Sequence, residues 1–200
     1  RISSPRGVMV ARVHINDGQR PGEIFVPMHW NGQFARQGKV NALVEGRCDP
    51  LSGQPESKQT AVRIAPWQPG WQGELYARAL PELPPAVYWW RKASHLSVAS
   101  DNPLLEWVLA HCGKQGWQLQ IAQTGERCSV LAWHNGELML GFWEATARPE
   151  LAHAFIEEAF RHPPADLAGR HALLHGQRTG ESVDHGRIVC SCFSVGENTI

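Results

Sequence analysis

The stretch WQLQIAQTGERCSVLAWHNGELMLGFW, residues 117–143, decides the fold of the second half of the chain. It contains three runs, 117–123, 127–133 and 137–143, whose apolar residues recur at the spacing of β-strands. Asn135-Gly136 separates the last two runs, and this dipeptide is the strongest two-residue signal for a hairpin turn. We therefore predict three strands here, the last two of them joined as a hairpin.

Helical patterns flank these strands. Asp101 or Asn102 suits the N-cap of a helix whose apolar stripe ends near Gly113. A second helix is predicted to start at Pro149, because proline is favoured at the first helical position. Together these patterns predict a small α+β domain over residues 86–185.

The first third of the chain is predicted to be all-β. Residues 8–15 alternate apolar and mixed positions, and 23–26 and 61–64 have the composition of short strands. Between them lie the long stretches 28–40 and 45–59, which are rich in Gly, Asn, Gln, Ser and Pro. Loops of this length inside a compact domain are usually functional or disordered.

A proline-rich segment separates the two parts. Half of the 14 prolines fall between Pro55 and Pro103. Proline disfavours both helix interiors and central strands. We therefore predict that residues 67–85 form a linker without a central strand.

Composition limits the classes of function. Hydrophobic residues make up 42% of the 200 residues and charged residues 19%, which predicts a globular protein. The 19 basic residues equal the 19 acidic residues, so no overall charge attracts nucleic acid or a membrane surface. No apolar run approaches the roughly 18 residues of a membrane-spanning helix, and no signal segment opens the chain. An odd number of cysteines, five, argues against a secreted disulfide framework, so we expect a cytoplasmic protein.

The chain starts at Arg1 and ends at Ile200, just after a helix-capping signal. We expect it to be a piece of a longer protein.

One group of residues suggests a rim that binds a large polar ligand. The stretch FVPMHW, residues 25–30, runs from an apolar segment through Pro27 into polar loops. Asn41 offers an amide that can both donate to and accept from a heteroatom-rich ring, and Lys58 offers a point charge for phosphate. Each residue alone is ordinary in a loop, so only the group as a whole favours a binding site.

The segments SPRGVMVARV, GEIFVPMHW and VNALVEGRCDPLSGQPESKQTAVRI, within residues 3–66, resemble the dinucleotide-binding domain of bacterial molybdopterin oxidoreductases. The sequences of these segments are most similar to those of the assimilatory nitrate reductases of that family. The resemblance implies a mainly β fold, the C-terminal portion of a double-psi barrel, that holds a molybdenum-bis(molybdopterin guanine dinucleotide) cofactor.

The resemblance also implies roles for individual residues. Asn41 and Lys58 match the family positions that contact the pterin dinucleotide. The substrate funnel is often lined by an aromatic residue in a related branch of the family, and that position is methionine here. The residues expected to line the approach to the metal are Met28, His29 and Trp30.

A second resemblance lies at the end of the chain. A Cys-x-Cys pair alone is weak evidence for a metal, since tetrahedral sulfur sites need four ligands. However, GRIVCSCFSVGENTI, residues 186–200, resembles the opening of a bacterioferritin-associated-ferredoxin-like [2Fe–2S] domain. In that domain a Cys-x-x-C pair follows later, so Cys190 and Cys192 would supply two of the four cluster ligands.

The two resemblances together imply one architecture. Its parts are a partial dinucleotide-binding domain at 1–66, a Pro-rich linker at 67–85, an α+β spacer at 86–185 and the start of a [2Fe–2S] domain at 186–200. The implied reaction is reduction of nitrate to nitrite, with electrons from a ferredoxin, a flavodoxin or an NADH-dependent reductase. No catalytic residue is expected within this piece, and a [4Fe–4S] cluster is expected upstream of it. The piece alone is therefore expected to be inactive.

Two alternatives remain open at this point. The first is a formate dehydrogenase-type molybdopterin oxidoreductase, which would share the barrel. The second is a non-catalytic module for electron transfer or cofactor binding. The remaining features have structural interpretations: Cys112 and Cys128 as small buried residues, Cys48 as structural, the ten histidines as surface or edge residues, and the tryptophans as packing residues.

Overall fold

Antiparallel strands make up most of this computed structural model, which describes residues 1–28, 31–56 and 59–178 and the backbone of 188–190 and 195–196. The strands are β1 Ile2–Ser3, β2 Val8–Met9, β3 Ala35–Arg36, β4 Arg63–Ile64, β5 Trp71–Ala77, β6 Tyr88–Lys92, β7 His95–Ser100, β8 Gln118–Gln123, β9 Arg127–His134, β10 Glu137–Ala145, β11 Ile188–Cys190 and β12 Val195–Gly196. The helices are α1 Leu105–Gln115, α2 His153–Arg161 and α3 Leu167–His175, and Val40–Ala42 forms one 3₁₀ turn.

A seven-stranded sheet forms the main body. Its strand order is β3-β6-β7-β5-β10-β9-β8, and every pairing is antiparallel. The longest ladders join β10 to β9 and to β5. The strand β3 comes from the first third of the chain and pairs with β6 through Ala35 and Arg36. The first third of the chain therefore contributes an edge to the sheet of the second part.

Helices pack on both faces of this sheet, because successive strand residues point to opposite faces. Leu75 belongs to a buried cluster that includes Val108 of α1, whereas its neighbour Tyr76 belongs to a cluster that includes Ile156 of α2 and Leu173 of α3. The tryptophans mostly serve these cores. Those at least 96% buried are Trp89, Trp133 and Trp143.

The first third of the chain is β-rich but holds only short strands. A small sheet has the order β2-β1-β4, and a small core joins Ile2, Met9 and Leu43. The prediction of a strand over residues 8–15 is wrong beyond Met9, and residues 23–26 do not form a strand. Beyond Met9 the backbone bond from Val10 N to Gln37 O at 2.7 Å is not continued as a ladder in the described residues.

The prediction that prolines exclude a central strand from residues 67–85 is wrong. Seven residues, Trp71–Ala77, form β5, which pairs with β10 on one side and with β7 on the other. The prolines of this segment flank the strand at 69, 81, 84 and 85 and do not interrupt it. Whether a strand forms here therefore depends on the length of the proline-free interval and not on the number of prolines in the segment.

The prediction for residues 117–143 is confirmed, because β8, β9 and β10 occupy it. Asn135 and Gly136 have φ angles of 50° and 82°, as a two-residue hairpin turn with both central φ angles positive requires. The predicted helices correspond to α1 and α2, but α2 begins at His153 rather than at Pro149, and α1 continues past Gly113 to Gln115. The α1 N-terminus, however, has no side-chain cap from its neighbours, and the Glu144 carboxylate accepts hydrogen bonds from Leu104 N and Leu105 N instead.

Within the described ranges, none of the helices combines the length and the apolar character that crossing a membrane requires.

Candidate functional site

A cleft of about 1590 Å³ lies where the first third of the chain meets the second part. The first third contributes the segment that contains Arg12 and Phe25, and the second part contributes the sheet residues Tyr88 and Trp90. The segment that precedes α2 adds Arg148. The cleft is lined by both polar and apolar side chains, which suits a ligand with a charged end and a ring.

The Glu74 carboxylate is the centre of a polar network next to this cleft. Glu74 is 1% exposed. Its Oε1 accepts hydrogen bonds from Arg12 Nη2 at 3.1 Å and from Ser97 Oγ at 3.1 Å. Its Oε2 lies 2.8 Å from His95 Nε2, and Arg148 Nε lies 3.6 Å from Oε1. Each carboxylate oxygen is therefore satisfied although it is shielded from water.

Strand periodicity explains why this network forms. Glu74 and Tyr76 lie two residues apart on β5 and so share one face of the sheet. In the neighbouring strand β7, Ser97 is paired with Glu74 and His95 with Tyr76, so their side chains lie on that same face. Arg12 reaches this face from the first third of the chain and also donates to Ser97 Oγ at 2.7 Å.

The charges around Glu74 determine its ionisation. Burial opposes the charged form, but the hydrogen bond from His95 and the charges of Arg12, His95 and Arg148 outweigh it. Together they hold the pKa of Glu74 at about 2, below its ordinary value of 4.5. Glu74 is thus a carboxylate at neutral pH.

Aromatic rings extend this network. The Tyr76 ring stacks on His95 at 4.1 Å between centroids, and Tyr76 Oη lies 2.5 Å from His153 Nδ1. The Trp90 ring lies edge-on to His95 at 5.0 Å. Burial, helped by the negative charge of Glu74, raises the pKa of Tyr76 well above its ordinary value. The Tyr76 hydroxyl is therefore neutral and available only for hydrogen bonding.

Only two of the residues predicted to contact the cofactor or line its approach are described. Asn41 lies in the 3₁₀ turn and is exposed, and Met28 is 48% exposed. Neither lines the cleft. The predictions for His29, Trp30 and Lys58 fall outside the described residues, so the grouping of these five residues remains a prediction.

Asp49 stabilises the loop that has the sequence DPLSG. Its Oδ1 accepts hydrogen bonds from Ser52 N at 2.7 Å, Ser52 Oγ at 2.9 Å and Leu51 N at 3.0 Å. These bonds, led by that from Ser52 N, lower the pKa of Asp49. Gly53 has a φ of +68°, which suits glycine. The loop is a self-supported turn that leaves Leu51 97% exposed.

The predicted cluster ligands are only partly described. Cys190 ends β11, whose backbone pairs with β12. Its side chain and all of Cys192 lie outside what the structure describes. Among the described residues, no group of three or more His, Cys, Asp or Glu side chains could hold a metal.

The other cysteines are in different environments. Cys112 and Cys128 are buried, as the sequence predicts. Burial raises the pKa of each of these thiols to about 11. Cys48, interpreted as structural, is exposed, and its backbone bridges to Pro55.

Sequence reasoning missed the Glu74 network, since Glu74 lies in the segment assigned to the linker. The available signal was a lone carboxylate inside the otherwise strand-like run WQGELYA. The pair His171 and His175 was also missed as a pair. Their spacing of four residues places them on one face of α3, where their Nε2 atoms lie 3.3 Å apart at the surface.

The comparisons with known proteins bear on both parts of the chain. Residues 1–61 match the family described as the molydopterin dinucleotide binding domain. A nitrate reductase of Klebsiella oxytoca is 54% identical over 204 aligned positions, which cover 100% of this chain and 24% of that protein. The chain therefore spans about a quarter of the length of this relative.

Two further relatives match a shorter part. A nitrate reductase of Synechocystis sp. is 38% identical over 32% of this chain and 9% of that protein. An assimilatory nitrate reductase catalytic subunit of Bacillus subtilis is 38% identical over 33% of this chain and 9% of that protein. No solved structure matches the chain. The chain is thus a relative of nitrate reductases whose residues 1–61 match the molydopterin dinucleotide binding domain.

Proposed function

We propose that this chain is a portion of the catalytic subunit of an assimilatory nitrate reductase and holds the guanine dinucleotide end of a molybdenum-bis(molybdopterin guanine dinucleotide) cofactor. The observation that carries the proposal is the 54% identity over the whole chain to the Klebsiella nitrate reductase. The match of residues 1–61 to a dinucleotide-binding family supports the cofactor. The reaction is then the two-electron reduction of nitrate to nitrite at molybdenum, for which the cofactor supplies the redox chemistry.

The described residues are compatible with a dinucleotide. The exposed amide of Asn41 can both donate to and accept from a guanine ring. In the proposal Lys58 neutralises a phosphate, and Met28, His29 and Trp30 line the approach to the metal. The barrel that carries them is a double-psi barrel, to which β1, β2 and β4 belong. The dinucleotide domain extends to residue 66, and α2 and α3 lie in the α+β spacer of 86–185.

The iron–sulfur part of the proposal concerns residues 186–200. Cys190 and Cys192 supply two ligands of a [2Fe–2S] cluster that receives electrons from a ferredoxin, a flavodoxin or an NADH-dependent reductase. A [4Fe–4S] cluster belongs to the part of the subunit outside this chain. The enzyme is cytoplasmic and acts on nitrate without binding nucleic acid or membrane. The 200-residue chain alone is inactive.

The test uses the full subunit that contains this chain. We expect purified enzyme to release molybdenum and guanine nucleotide on acid extraction and to reduce nitrate with a viologen dye as electron donor. Zinc in place of molybdenum, or no guanine nucleotide, would contradict the proposal.

A charge reversal tests the phosphate contact. We expect Lys58→Glu to lower the molybdenum content of the full enzyme, since it replaces a cation beside phosphate with an anion. Lys114→Glu is the matched control, because Lys114 lies near the end of α1 in the second part of the chain. Unchanged loading in Lys58→Glu would remove Lys58 from the site.

A further inference from the structure

Two histidine side chains lie next to each other on the surface of α3. His171 and His175 are four residues apart, about one helical turn, and so project from the same face of the helix. Both are exposed, and their Nε2 atoms lie 3.3 Å apart. The ring centroids are 4.5 Å apart, and the ring planes meet at 64°. Because the nitrogens are closer than the centroids, the two Nε2 edges approach each other.

The separation of these two nitrogens matches the geometry of zinc. Zinc binds imidazole nitrogen at about 2.0–2.1 Å and prefers four ligands in a tetrahedron. An ion bonded at that length to both Nε2 atoms, which are 3.3 Å apart, would have an N–Zn–N angle of about 104–111°. This range includes the tetrahedral angle of about 109°. The angle of about 90° that octahedral and square-planar ions prefer would require the nitrogens to lie about 2.9 Å apart at the same bond length.

A hydrogen bond between the two rings does not prevent metal binding. A neutral imidazole carries a proton on one ring nitrogen and accepts with the other. In the contact between His171 and His175, one Nε2–H therefore donates to the other Nε2. A metal ion between the two nitrogens takes the place of that proton, and the donor ring then carries its proton on Nδ1. Both rings remain neutral, which is the form that binds metal.

The last turn of α3 is anchored to the rest of the second part. Trp143 Nε1 donates to Leu174 O at 3.0 Å, and Ala152 N donates to Gly176 O at 2.8 Å. A helix held in this way lowers the entropic cost of bringing two ligands to one ion. His175 is also the last residue of α3, and the C-terminus of a helix favours a nearby cation.

The arginines next to the pair in the sequence face other groups. Arg170 lies over the Trp133 ring at 4.5 Å from its centroid. Arg178 lies over the Phe155 ring at 5.4 Å. Each guanidinium is thus placed against an aromatic ring rather than between the two imidazoles.

We propose that His171 and His175 chelate a zinc ion through their Nε2 atoms. Among the described residues no third His, Cys, Asp or Glu side chain joins the pair, so water fills the two remaining positions of the tetrahedron. The site does not depend on the proposed function, because neither histidine is among the residues proposed to contact the cofactor or the iron–sulfur cluster.

Isothermal titration calorimetry of the 200-residue chain with zinc chloride at neutral pH tests the site. Iodoacetamide treatment first blocks the accessible cysteines, whose thiolates would otherwise bind zinc. His171→Ala should weaken zinc binding about tenfold or more, because a single imidazole loses the gain in effective concentration that a second, linked ligand provides. His175→Ala should weaken it to the same extent. Alanine is the strongest helix former, so both variants should fold.

His134→Ala is the matched control, because it removes one exposed imidazole whose Nε2 lies 3.2 Å from Asn135 Nδ2. It should bind zinc like the native chain. The variant that lacks both His171 and His175 should bind about as weakly as either single variant, since chelation is already lost with the first substitution. The proposal would be overturned by absence of zinc binding to the native chain, by native affinity in His171→Ala, or by equal weakening in His134→Ala.

Discussion

Replacing Glu74 with glutamine removes the negative charge from the centre of the polar network but keeps the size of the side chain. The surrounding donors hold the pKa of Glu74 at about 2, against an ordinary value of 4.5. Each pKa unit corresponds to about 1.4 kcal/mol between the two protonation states. The ionised form therefore contributes about 3 kcal/mol to the free energy of unfolding at neutral pH. We expect Glu74→Gln to lose about that amount.

The pH dependence has a definite sign. Because the pKa of Glu74 is lower in the folded chain than in the unfolded chain, its stabilisation is complete above pH 4.5 and is lost as the pH falls towards 2. The native chain thus approaches the stability of the variant in acid. The difference between them should shrink from about 3 kcal/mol at pH 7 to about 1 kcal/mol at pH 3.

Urea unfolding followed by tryptophan fluorescence at pH 7, 4.5 and 3 measures this difference. Glu126→Gln is the matched control, because it removes one carboxylate from an exposed position. It should change the free energy of unfolding by less than about 0.5 kcal/mol. If Glu74→Gln keeps the same dependence on pH as the native chain, the assignment of the low pKa to Glu74 is refuted.

Three other predictions concern stability and reactivity. Glu144→Ala should destabilise the chain by about 2–4 kcal/mol in urea unfolding, because it removes the two hydrogen bonds at the start of α1, and equal stability would contradict this. Gly73→Ala should lower the free energy of unfolding by about 1–3 kcal/mol, since a Cβ there would lie 2.9 Å from Phe142 and from Val98. Gly113→Ala in α1 meets nothing within 4 Å and should raise it by up to about 1 kcal/mol. A higher melting temperature for Gly73→Ala than for Gly113→Ala would contradict the packing. Iodoacetamide should alkylate the exposed Cys48 before the buried Cys112 and Cys128, because burial raises the pKa of each buried thiol to about 11. Peptide mass spectrometry measures the three rates, and equal rates in the native chain would contradict this order.

The sequence was most informative where the signals are local. Residues 117–143 contain alternating strands and an Asn-Gly turn, and both depend on neighbours along the chain. The helices α1 and α2 were predicted from caps and apolar spacing. In contrast, β7 and α3 were missed. The signals for α3 were present, since Asp166 caps its N-terminus by accepting a hydrogen bond from Gly169 N and Gly176 follows its last residue, but they were not used.

The candidate site could not be assembled from the sequence because its contacts are long-range. Arg12 and Glu74 are 62 residues apart, and Arg12 and Ser97 are 85 apart. The α1 cap from Glu144 likewise comes from 40 residues away. No spacing rule connects such positions before the order of the strands is known. Resemblance of short segments to a family identified the dinucleotide-binding part, but it said nothing about the Glu74 network.

The place of β5 in the sheet also sets the order in which the chain can fold during synthesis. β5 ends at Ala77, but its partner β10 ends at Ala145, roughly 70 residues later. At a synthesis rate of about 5–20 residues per second, β5 waits several seconds for one of its two neighbours. During that interval one edge of an apolar strand is open to other nascent chains. The yield of folded protein should therefore depend on the amount of ribosome-associated chaperone, and a lower growth temperature should raise the soluble fraction.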